Sequence, residues 1–116
     1  MRKQQLEIAA FEVATQVRTV EETIDSALAE IAELQSRVMR VNAIAHVGVG
    51  TIHGSLEQLA TAISGLVASR GAIVACHAEL ADAKGKVPGL RTVAWGDTEE
   101  CPPASGAIPQ PLRVVA

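Results

Sequence analysis

Aromatic residues are almost absent from this sequence. Phe11 and Trp95 stand alone, and there is no tyrosine among the 116 residues. A core must then be built from Ala, Val, Ile and Leu, which suits close helix packing better than a sandwich or an enzyme cleft. Cysteine is nearly as scarce: Cys76 and Cys101 are too few for a disulfide framework. A cationic excess is missing too. The net charge is −3 and the isoelectric point about 5.5, so no positive field attracts nucleic acid beyond the small pair Arg2 and Lys3. The longest stretch free of charge, Val41 to Leu56, falls short of the roughly 20 residues that a bilayer span requires. It also carries Asn42, His46, His53 and Ser55, so no membrane span is expected. Met-Arg-Lys-Gln-Gln at the start has no apolar run of the kind a signal peptide needs. These absences favour a soluble protein in the cytoplasm or within a macromolecular assembly.

From Leu6 to Ala45 the chain has neither glycine nor proline, and here its pattern is strongest. Ala10, Val17, Ile24, Ile31, Val38 and Ala45 recur at every seventh position, and Leu6, Val13, Val20, Ala27, Leu34 and Val41 repeat between them. An apolar period of 3.5 residues is the a/d seam of a coiled-coil helix. The first helix is expected over about residues 3–46, roughly 65 Å long at 1.5 Å per residue. Thr19-Val-Glu-Glu22 fits a capping box, a possible break, yet the heptad crosses it without a change of phase. Gly48, Gly50 and Gly54 then predict a glycine-rich turn over residues 47–54. Ser55-Leu-Glu-Gln58 reads as the next N-cap.

A second helix is expected over about residues 56–86, ending ahead of Pro88-Gly89 because the residue before proline avoids the α region. Its seam contains Leu56, Leu59, Ile63, Leu66, Arg70, Ile73, His77 and Leu80. Flanking positions are apolar or small, with Ala60, Val67 and Val74 on one side and Ala62, Ser69 and Cys76 on the other. Folding about the middle of the glycine stretch pairs Val41 with Leu59, Leu34 with Leu66, Ala27 with Ile73 and Val20 with Leu80. The fold class is therefore all-α: a long antiparallel, coiled-coil-like hairpin over residues 1–87. A helix apolar nearly all round is buried on more than one side, so two hairpins packed as a four-helix bundle are the simplest closed solution.

Residues 88–116 differ in kind. Pro88, Pro102, Pro103, Pro109 and Pro111 forbid sustained helix, and the segment carries no core of its own. It reads as an extended arm in which Leu90, Val93 and Trp95, and later Leu112 and Val114, are placed to contact a neighbouring protein.

Chemistry has little footing. Cys76 and His77 are adjacent and point about 100° apart on a helix, which prevents easy chelation of one ion, and His46 and His53 lack ligand spacing. Cys76 reads better as a small buried apolar residue. Asp97, Glu99 and Glu100 precede Cys101, and an acidic neighbourhood works against a nucleophilic thiol. Val47-Gly-Val-Gly50 lacks the lysine of a phosphate loop. No catalytic, cofactor or metal site is expected. Arg70 and His77 share one seam; opposite Ile31 and Ile24, within reach of Glu30 or Glu21, they would fix register and oligomeric state. Alternatively their heads reach solvent while their stems pack.

The pattern points to a non-enzymatic structural or assembly protein. Its oligomer seam comprises Leu6, Val13, Val17, Val20, Ile24, Ile31, Leu34, Val38, Val41, Leu59, Ile63, Leu66, Ile73 and Leu80. Components of large symmetric assemblies, a phage virion among them, suit such a shape. The alternative is a small adaptor or inhibitor that binds a partner helix on its exposed apolar face.

Overall fold

The computed structural model describes residues 2–91 and residue 93. Two long helices pack as a hairpin: α1 spans Arg2–Ala45 and α2 spans Val49–Lys86. α1 passes Thr19 unbroken, the Thr19 hydroxyl donating to the carbonyl of Thr15 at 3.1 Å and that of Thr15 to the carbonyl of Phe11 at 2.9 Å. The chain divides into two compact units, one built from α1 up to Val20 and the chain from Val74 onward, the other from Glu21–Ile73.

The turn is shorter than the glycines suggested. Only His46, Val47 and Gly48 separate the helices, and Gly50 and Gly54 are helical. His46 takes the left-handed conformation, φ 52°, that a glycine was expected to supply. The Gly48 carbonyl accepts the Thr51 amide at 3.0 Å and starts α2 at once. Each helical glycine costs roughly 0.5–1 kcal/mol relative to alanine. The packing of half-buried Ile52 and Leu56 in the same turns offsets that cost.

Register follows from the turn. Within Glu21–Ile73, reflection of the chain about Val47 carries Val38 onto Leu56, Ile31 onto Ile63 and Leu28 onto Leu66, all half-buried. In the other unit the same operation carries Val17 onto His77 and Ala10 onto Lys84, again both covered. Leu66 thus comes level with Leu28 instead of Leu34. In Glu21–Ile73, α1 covers Leu28 and Asn42, four places after Ile24 and Val38, and Ala27 beside them, while Leu34 and Val41 stay exposed.

α2 ends at Lys86, ahead of Pro88, and the chain folds back through successive tight turns. The amides of Val87, Leu90 and Val93 donate to the carbonyls of Lys84, Val87 and Leu90 at 3.2, 3.1 and 3.2 Å. Gly89, at φ 94°, permits the reversal; a β-carbon there would sit 3.8 Å from Lys3 Cγ and 4.0 Å from Leu6 Cδ2.

Candidate interaction surfaces

Very little of the described chain is buried by its own fold. Among the described residues Leu90, 4% exposed, is the one buried apolar side chain, and Lys84 the one buried charge. Lys84 is covered because its Nζ donates to the carbonyl of Val93 at 2.6 Å. That bond and Leu90 together hold Val87–Arg91 and Val93 against the helices.

In Glu21–Ile73 the half-buried seam is Ile24, Leu28, Ile31, Val38, Leu56, Leu59, Ile63, Leu66 and Ile73. Ala27 is half-buried beside it, whereas Leu34 (49% exposed) and Val41 (63%) stand on an open flank. The expected pairings of Leu34 with Leu66 and Val41 with Leu59 therefore do not occur inside one chain, because the three-residue turn displaces the register. Met39, Ile44, Val49 and Val67 are exposed as well. Asn42, on the seam side near the turn, buries its Oδ1 without a hydrogen-bond partner.

Arg70 pairs with neither Glu30 nor Glu21 directly. Its Nε donates to Asp25 Oδ1 at 2.7 Å, with both side chains about half exposed. The Asp25 hydrogen bond, then its charge, hold the guanidinium pKa above its ordinary value; Glu21 adds to this, while slight desolvation opposes it. The Arg70 head thus meets its partner at the surface, on an exposed residue. The pair joins the two helices, Arg70 on α2 and Asp25 on α1. Pairs along single helices, Glu33 with Arg37 and Asp82 with Lys86, are exposed and contribute little.

Three clefts lie in the other unit. A cleft of about 200 Å³ opens among Ala10, Val13, Ala14, Val17, His77, Leu80, Ala83, Lys84, Val87 and Leu90. Alanines at positions 10, 14 and 83 leave it unfilled. Val17, Val20 and His77 are half-buried; Leu6, Val13 and Leu80, expected in the seam, are exposed. A second cleft is lined by Gln4, Glu7, Ile8, Phe11 and Val93, and a third by Arg2, Lys3, Leu6, Pro88 and Gly89. Cys76 is an exposed free thiol instead of a buried one, because it lies on the flank of α2 and not on its seam. Of the expected arm contacts, Leu90 and Val93 turn inward, and Trp95, Leu112 and Val114 lie outside the described residues.

Among the described residues no group of three or more His, Cys, Asp or Glu side chains is placed to hold a metal ion. By length and composition alone α2 is long and apolar enough to cross a membrane. Counting only uninterrupted uncharged runs passes over this, since between Leu59 and Ala78 Arg70 is the single full charge. Comparison with protein-family models, with curated proteins and with solved structures gives no match.

Proposed function

We propose that this chain is a non-enzymatic structural or assembly protein that self-associates through the apolar flanks of its helices. The observation behind this reading is an imbalance: among the described residues Leu90 is the one buried apolar side chain, while the surface carries Leu6, Phe11, Val13, Leu34, Val41, Val67 and Val74. Apolar area left in water favours association by roughly 25 cal/mol per Å² covered. A second hairpin supplies matching valine and leucine rows, as in a four-helix bundle. The end of the arm, with Leu112 and Val114, contacts a neighbouring protein, which fits a component of a larger assembly.

Light scattering on the full chain across a wide concentration range tests this. A discrete dimer or higher oligomer that dissociates on dilution is expected. A helical monomer throughout the range overturns self-association and moves the adaptor reading ahead.

The apolar composition of α2 favours a second reading, in which this helix enters a bilayer. Arg70 at a span centre costs about 2.5–3.5 kcal/mol on insertion scales, and its Asp25 partner belongs to a helix rich in charge. Protein that floats with lipid vesicles and resists salt and alkaline extraction would favour insertion; protein left in the soluble fraction removes it.

A further inference from the structure

We propose that Trp95–Glu100 of the same chain docks on the end of the hairpin formed by the first turns of α1, with the Trp95 indole against Ile8 and Phe11 and the following carboxylates beside Arg2 and Lys3. This goes beyond self-association, since it assigns part of the open apolar surface to the protein's own arm.

Three observations carry it. The first is continuity: Val87–Arg91 and Val93 already fold back on the helices, fixed by buried Leu90 and by Lys84 Nζ on the Val93 carbonyl at 2.6 Å. The second is where the described chain ends. Val93 is itself a wall of the cleft formed by Gln4, Glu7, Ile8 and Phe11. Trp95, the only tryptophan in the chain, follows two residues later. Two residues of extended chain reach about 7 Å, so a side chain at that position can be set against the cleft that Val93 lines. An indole suits such a place, because it covers apolar side chains and still presents an N–H to water or to a carboxylate such as Glu7.

The third observation is charge. Asp97, Glu99 and Glu100 follow Trp95 within five residues, and a further cleft on the same first turns of α1 is lined by Arg2 and Lys3 together with Leu6, Pro88 and Gly89. Glu7 repels carboxylates from the first cleft and so favours their placement over the second. The tether through Val93 raises the local concentration of the segment to the millimolar range. Modest contacts then suffice, and a free partner has to displace the arm.

Tryptophan emission of the full-length chain reads this directly, because Trp95 has no competitor. The expected result is emission blue-shifted from that of the denatured chain and constant on dilution. Ile8→Glu is expected to move it to the red with helical circular dichroism retained, and Lys3→Glu to move it the same way. Ala75→Glu, an exposed control in the same unit, is expected to leave it in place. Emission equal to that of the denatured chain overturns the proposal, as does a blue shift indifferent to Ile8→Glu and Lys3→Glu. A blue shift lost on dilution also overturns it, since a second copy then covers the indole. Light scattering on the same samples reports self-association separately, so either idea can fail alone.

Discussion

Leu34→Ala separates what the hairpin needs from what its partner needs. Leu34 is 49% exposed on the open flank of α1, so a second copy has about half a leucine still to cover. Complete burial of a leucine is worth about 1.5–3 kcal/mol, which leaves roughly 0.7–1.5 kcal/mol for that half. In a symmetric dimer the loss falls on both copies, about 1.5–3 kcal/mol in all. That corresponds to a dissociation constant about 10- to 100-fold weaker. Sedimentation equilibrium over a concentration series measures the constant, and circular dichroism checks that helix content is kept. Leu66→Ala is the companion variant. Leu66 is half-buried on the seam inside one chain, so its loss acts on the hairpin itself, by about 2 kcal/mol in urea unfolding. A dissociation constant for Leu34→Ala within about threefold of the parent would refute the assignment of this flank to a partner. Loss of helicity in the same variant would show that Leu34 belongs to the seam after all.

Two further outcomes follow from local geometry. Gly65 and Gly71 lie inside α2, and a β-carbon at either meets nothing within 4 Å. Gly65→Ala and Gly71→Ala should each stabilise the chain by about 0.5–1 kcal/mol in chemical denaturation; a loss of stability would place another surface against them. Asn42→Leu should raise stability by about 1–3 kcal/mol in the same assay, because it removes a buried Oδ1 that has no partner. An unchanged or lowered midpoint would mean that the Asn42 amide is satisfied in the assembled protein.

The helices and their antiparallel packing were legible because the heptad is a long-range signal that single residues cannot disguise. Ile24, Ile31 and Val38, and with them Ile63, Leu66 and Ile73, lie where the period puts them. The turn was less legible. Glycine weakens a helix by only about 1 kcal/mol, so Gly50 and Gly54 do not break one whose seam resumes at Ile52. The residue that takes a positive φ is His46, a type that enters the left-handed region less often than glycine yet more often than most. A few residues in the turn then shift every pairing beyond it, which is why Leu34 and Val41 moved from seam to flank. Arg70 stood out in the sequence as the lone charge of its seam, but its partner Asp25 became visible only in the folded hairpin.

The tight turn at His46–Gly48 also sets the order in which the fold can assemble. Pairs close to it, such as Val38 with Leu56, enclose a short segment and lose little chain entropy on meeting. Ala10 with Lys84 encloses almost the whole hairpin, and closure entropy grows with the logarithm of the enclosed length. Formation therefore proceeds as a zipper from the turn outward, with mostly local contacts early and the far turns closing last. Opening runs the other way, so the first turns of α1 and the folded-back Val87–Arg91 and Val93 part from each other before the rest of the hairpin does.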